Sequence, residues 1–238
     1  MTQSQPRSVA IVTGASRGFG RAVTAALLDR GWTVVGDARR TVELKNAAAE
    51  LNSPRLIALP GDVTDAPHRD ALVAAAVNAG PLRLLVNNAS RLGPSPQPAL
   101  ADYPPGELWA VYQANLFAPL ALIQAALPAL TENAGVIINL TSDAAVEPYP
   151  GWGGYGSSKA ALDQLSAVLA AEAPAVPVYA FDPGDMRTEM HQAAFPGEDI
   201  SDRAEPESVV PALLRLLDTR PAPGRYRAAD VALSGARR

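Results

Sequence analysis

A tyrosine and a lysine four residues apart, in Tyr155-Gly-Ser-Ser-Lys159, are the residues of this sequence best spaced to move a proton. They open an alanine- and leucine-rich stretch of helical period, and on a helix residues four apart stand on one face within mutual reach. A free phenol, with a pKa near 10, is a poor acid or base at neutral pH. A cation about 4 Å away, at an effective dielectric near 20, is worth roughly 4 kcal/mol and pulls the phenol toward the range where general acid-base catalysis works. Taken alone, the pair also describes an aromatic at a helix start with a solvated lysine one turn on. Ser142 shifts that balance, because it falls at the end of a separate strand-like run, Val136-Ile-Ile-Asn-Leu140, where parallel α/β folds present side chains to ligand.

A second constellation lies in Val9-Ala-Ile-Val-Thr-Gly-Ala-Ser-Arg-Gly-Phe-Gly20, a strand pattern feeding a turn with glycines at 14, 18 and 20 and then an alanine-rich helix start. Glycines there let backbone pass close to a diphosphate and aim the positive end of the helix at it. The strand before and the helix after raise this above a mere connecting turn. There is no Gly-Lys-Ser/Thr, so a P-loop phosphotransferase does not fit. A methyltransferase also carries a glycine-rich first turn, but it leaves Tyr155 and Lys159 unexplained.

The elements that must position these residues follow from the alternation of short aliphatic runs with longer alanine-rich segments, the pattern of βαβ units. Strands are expected over 8–13, 33–37, 55–59, 82–87, 135–140, 176–182 and 225–231. Helices are expected over 18–30, 42–51, 66–79, 105–130 with a break near Asn115, 155–172 and 206–219. Right-handed crossovers then give one Rossmann-type domain over 1–238, a doubly wound parallel sheet of seven strands in a three-layer α/β/α sandwich. Two irregular stretches, 91–104 and 185–205, are long enough to wall a substrate pocket.

The totals narrow the function classes. With 48% hydrophobic and 18% charged residues, 238 residues form an ordinary globule. A net charge of -4 offers no basic face for nucleic acid and no run that would seek an anionic membrane. There are no cysteines, so disulfides and thiol chemistry are excluded, and no carboxylate or histidine cluster has metal-ligand spacing. The first seven residues are polar, which makes the cytoplasm the expected location. The longest apolar stretch, 116–130, is interrupted by Pro119, Gln124 and Pro128 and reads as short of a bilayer span.

The spacing Gly-x3-Gly-x-Gly resembles the short-chain dehydrogenase/reductase family, and further motifs match it in order. Asp62-Val63 resembles the family's adenine-side pair, and Asn87-Asn88-Ala89 its Asn-Asn-Ala-Gly turn, with Ser90 in place of the last glycine. Asn115, Ser142, Tyr155 and Lys159 resemble its catalytic tetrad. Pro183-Gly184, with Met186 and Thr188, resembles the segment that covers the nicotinamide. The resemblance implies an oxidoreductase that moves a hydride between a nicotinamide and a carbonyl or alcohol. Tyr155 would protonate the carbonyl oxygen, Ser142 would hold it, Lys159 would bias the phenol and grip the nicotinamide ribose, and Asn115 would hold a water that replenishes the proton. It further implies a cofactor seat made by Gly14, Ser16, Arg17, Gly18, Phe19 and Gly20, together with Arg39, Asp62, Val63, Asn88, Ala89, Pro183, Gly184, Met186 and Thr188.

Arg17 and Arg39 favour NADP(H), since a guanidinium grips a 2′-phosphate with two donors. The family's NAD-selecting acid aligns with Ala38, yet Asp37 is one residue away and keeps NAD(H) open. Around Tyr155, the residues Asp143, Tyr149, Trp152 and Met190 are candidate substrate contacts in a mainly apolar pocket, while His191 and His68 read as structural or surface residues. The helices over 105–130 and 155–172 pair across a two-fold axis in the family, which implies a homodimer or homotetramer. A terminus without Asp-Gly-Gly makes tetramer formation through that end doubtful. A non-redox enzyme on the same site, such as a dehydratase, cyclase or epimerase, and a non-catalytic dinucleotide sensor are the competing readings.

Overall fold

The structure, a computed structural model, describes residues 7–233. The polar start of the chain and the last residues of its tail lie outside the described residues. Seven strands, β1 (Val9–Val12), β2 (Thr33–Ala38), β3 (Leu56–Pro60), β4 (Leu82–Asn87), β5 (Val136–Leu140), β6 (Val178–Asp182) and β7 (Gly224–Arg227), pair in the order β3-β2-β1-β4-β5-β6-β7. Every pairing is parallel. Nine helices accompany them among the described residues: α1 (Gly18–Asp29), α2 (Thr41–Leu51), α3 (Ala66–Ala79), α4 (Pro105–Tyr112), α5 (Ala118–Glu132), α6 (Gly153–Glu172), α7 (Glu189–Ala194), α8 (Pro206–Thr219) and α9 (Ala228–Leu233). This is the doubly wound sandwich that the alternating pattern implies.

The two-residue period of a strand decides which helices cover which face. Ala10, Val12, Val136 and Ile138 point into a core with Phe19, Val23, Leu27 and Leu213 of α1 and α8. Val9, Ile11, Leu85 and Ile137 point the other way, onto Leu72 of α3 and Leu122, Ile123 and Leu130 of α5. Strands covered on both faces read as continuous apolar runs for that reason. Strand order reverses between β1 and β4, so their carboxyl ends diverge and leave a crevice.

Three local expectations are corrected. The last strand ends at Arg227, and Ala228–Leu233 turns into α9, because this alanine-rich stretch prefers helix and its Val231 is buried in the core. The stretch 185–205 is not wholly irregular: Thr188 caps α7, its hydroxyl accepting the His191 N–H at 3.2 Å. Between α4 and α5 the chain does not break but passes through a π-helical turn, Gln113–Phe117, with Asn115 inside it. The resulting run, Pro105–Glu132, is one helix long and apolar enough to cross a membrane by length and composition, contrary to the reading of 116–130 alone. Here its apolar positions Leu122, Ile123, Ala126 and Leu130 lie in the core.

Candidate active site

The glycine turn is built by its neighbours as much as by its own sequence. Gly14 has φ +70°, a backbone conformation that side chains oppose, and its N–H donates to Asp37 Oδ1 at 2.9 Å. A Cβ on Gly20 would lie 2.3 Å from the Gly14 carbonyl oxygen, so only glycine lets α1 begin that close to the turn. Asn88 Nδ2 donates to the Thr13 carbonyl at 2.8 Å, and the Thr13 hydroxyl accepts the N–H groups of Asn88 and Ala89. The two motifs, far apart in sequence, therefore form one rigid floor.

Above that floor is a cavity of about 760 Å³. Gly14, Ser16, Arg17, Gly18, Phe19, Arg39, Asp62, Val63, Asn88, Ala89, Met186 and Thr188 all line it. Gly20, Tyr155, Lys159, Pro183 and Gly184 do not: Gly20 lies beneath the turn, and Pro183-Gly184 follow β6, with φ +74° at Gly184. Arg17, Arg39 and Arg40 crowd one wall. Burial first, and then the neighbouring Arg40 and Arg39, push the Arg17 guanidinium below its ordinary pKa, with Glu43 opposing. Arg17 also pairs with Glu189 at the start of α7, tying the glycine turn to the segment after β6. A preformed cradle at a helix N-terminus, floored by glycines and walled by guanidiniums, fits a phosphorylated dinucleotide.

Ser90 continues the cavity wall toward Tyr155 and Lys159. It donates to Asn115 Oδ1 at 3.1 Å and acts on the Tyr155 phenol, holding its pKa down against burial. In the sequence Ser90 stands out only as a departure from the family's glycine, since its partners come from other elements. Tyr155 sits in the first turn of α6, which begins at Gly153, earlier than its apolar period announces. Lys159 Nζ lies 5.5 Å from the centre of the Tyr155 ring and donates to the Leu140 carbonyl at 2.8 Å.

The expected softening of the phenol by Lys159 does not dominate within the chain itself. Burial, the largest influence on both groups, pushes the phenol up and brings the lysine down to about 8. Asp182 and Asp143 add to the phenol's shift and Ser90 opposes it; Asp163 opposes the shift of Lys159.

Asn115 is fully buried, and its amide is saturated. It donates to the Arg91 carbonyl at 3.0 Å and to Ser158 Oγ at 2.9 Å, and accepts from Ser90 Oγ and from the Arg91 N–H at 2.8 Å. With all its side-chain donors and acceptors committed, it ties α6 to the loop after β4. Ser142 donates to Asp143 Oδ1 at 2.9 Å, and Asp143 also accepts the Tyr149 phenol at 3.0 Å. The Ser142 proton must leave Asp143 before it can serve a carbonyl.

The candidate substrate residues assemble as an apolar wall. Trp152 meets Tyr155 edge-on at 5.9 Å and Phe195 at 5.7 Å, Tyr149 meets Trp152 at 6.4 Å, and Met190 and Leu92 pack on the same cluster. Two further residues complete the frame. Arg225 of β7 donates to the Ser142 carbonyl at 3.0 Å, to Asp182 at 2.9 Å and to Asp163 at 3.1 Å, fastening three segments that carry site residues. His68 is not a surface residue: its side chain is 9% exposed and its Nε2 lies 3.1 Å from Asp37 Oδ2.

Comparison with known proteins agrees with this geometry. The sequence model of the family described as short chain dehydrogenase matches residues 8–199. Sepiapterin reductase of Meriones unguiculatus is 36% identical over 202 residues, covering 79% of this chain and 77% of that protein. A short chain dehydrogenase of Shigella flexneri, solved in complex with NADP, superposes with a TM-score of 0.85 at 29% identity, covering 93% of this chain and 97% of the other. An alcohol dehydrogenase of Thermococcus sibiricus, complexed with 5-hydroxy-NADP, superposes with a TM-score of 0.82 at 26% identity, covering 93% and 95%. The chain belongs to the short-chain dehydrogenase/reductase family. It is an oxidoreductase of the kind that acts on CH–OH or C=O groups with a nicotinamide dinucleotide.

Proposed function

We propose that this oxidoreductase uses NADP(H) to interconvert a carbonyl and a secondary alcohol, with Tyr155 as the group that gives and takes the proton. The observation that carries the reading is one cavity whose guanidinium wall and glycine floor run through Ser90 to the Tyr155 phenol. Bound nicotinamide supplies the hydride, or accepts it in the reverse direction. Arg39 and Arg17 grip the 2′-phosphate, which is the difference between the two dinucleotides. Tyr155 donates from its protonated form, which burial favours, and Ser90 orients the hydroxyl. Ser142 turns from Asp143 to hold the substrate oxygen, and Lys159, anchored on the Leu140 carbonyl, adds its charge beside the phenol. Trp152, Phe195 and Met190 exclude water and suit a flat, largely apolar carbonyl compound. Exposed Trp109, Phe117 and Val168, on α4, the π turn and α6, support a homo-oligomer that covers these helices.

The test is a screen of ketones, aldehydes, quinones, sugars and secondary alcohols, sepiapterin included, with NADPH and NADH side by side. Turnover with NADPH is expected, and Tyr155→Phe is expected to lose about 10²–10⁴-fold in kcat while still binding NADPH. Near-normal activity of that variant, or product formed with no change in nicotinamide absorbance, overturns the reading.

A further inference from the structure

Asp37 stands where it should defeat the arginines. It is the last residue but one of β2, beside the cavity, and a free carboxylate there would accept hydrogen bonds from ribose hydroxyls and repel a 2′-phosphate. Its exposure is 1%, and both oxygens are engaged: Oδ1 by the Gly14 N–H at 2.9 Å and Oδ2 by His68 Nε2 at 3.1 Å. We propose that His68 is a cofactor-specificity residue, which holds the Asp37 carboxylate down and away from the ribose and so lets Arg17 and Arg39 select the 2′-phosphate.

Space for this pairing is built into the chain. His68 comes from the first turn of α3, and its ring lies against Gly61, where a Cβ would fall 2.2 Å from His68 Nδ1. Any side chain at 61 evicts the ring, so Gly61 keeps the pair together without touching Asp37. The other charges nearby are already committed. Asp62 faces Arg39 at 3.9 Å and accepts from Thr64, Arg40 pairs with Glu43, and Arg17 pairs with Glu189. Asp37 is thus the carboxylate of this wall that His68 alone among side chains restrains. This inference rests on the NADP(H) reading above, and the experiment separates the two.

Dissociation constants for NADPH and NADH are measured on the wild type, His68→Leu, Gly61→Ala, Asp37→Asn and the double variant His68→Leu/Asp37→Asn, each checked for cooperative melting. Wild-type preference for NADPH tests the reading; preference for NADH sinks it whatever the variants do. The change in the NADPH-to-NADH ratio tests the inference. His68→Leu and Gly61→Ala are each expected to lower that ratio about tenfold or more, the scale of one uncompensated charge in a half-solvated site. Asp37→Asn is expected to restore the ratio in the His68→Leu background. A ratio that stays within about twofold of wild type in folded His68→Leu and Gly61→Ala, or a fall that Asp37→Asn does not reverse, overturns it. Gly61→Ala keeps every ionisable group, so a shift there cannot come from the loss of the imidazole itself.

Discussion

Lys159 shows how much a single charge costs when the fold buries it. Its ammonium is fully enclosed, and burial brings its pKa from 10.5 to about 8, a penalty of about 3 kcal/mol against the folded state. The sign follows from proton counts. Below pH 8 the lysine is charged both folded and unfolded, and the penalty is complete. Between pH 8 and 10.5 the folded form has shed its proton while the unfolded chain still holds one, so the wild type gains stability as pH rises. Lys159→Met is therefore expected to melt higher than wild type at pH 7 and to lose that advantage by about pH 10, read from melting midpoints across pH. A gap that does not narrow would refute the burial account. The same variant should lack activity, which makes Lys159 a residue kept at the expense of stability. Tyr155, Lys159 and Ser142 were legible in the sequence because i, i+4 spacing and a strand end are local signals. Ser90 and His68 were not, because what they do depends on partners from other segments; Asp37 lies 31 residues from His68.

Among elements, the least legible was β7. Its sequence, Gly-Arg-Tyr-Arg, has little of the apolar run that announces a buried strand, and its reach into the site comes through Arg225, 83 residues from Ser142. A guanidinium satisfies the Ser142 carbonyl, Asp182 and Asp163 at once, which a lysine cannot do. Arg225→Lys is expected to reduce kcat about tenfold or more with little change in NADPH affinity, since the cofactor cavity has no wall from β7. Arg225→Met leaves Asp182 buried without its cation and should cost about 3–5 kcal/mol in unfolding free energy. Unchanged kcat in Arg225→Lys would show that β7 fastens nothing the reaction needs. The core strands were the most legible, their apolar runs dictated by cover on both faces. In that core, Ile137→Ala should cost about 2–5 kcal/mol by denaturant unfolding.

For the whole molecule, the unsolved surface is the one carrying α4, the π turn and α6. Trp109 is 62% exposed, and its ring lies 5.8 Å from that of Phe117. An aromatic pair left to water is the kind of anchor that interfaces bury. Light scattering is expected to give the wild type two or four times the mass of one chain, and Trp109→Glu to return it to one. A monomeric wild type at micromolar concentration would rule the assembly out. The sequence could name these helices but not their outward residues, which only packing assigns. The floor beneath the cavity has its own consequence. Because Asp37, Thr13 and Asn88 pin the glycine turn from below, the mould for a diphosphate is cast before any guest arrives. Backbone amides at Gly14 and Asn88 should then resist exchange with deuterated solvent about as strongly as those of neighbouring strands, and little of the energy of capture is spent on ordering the seat.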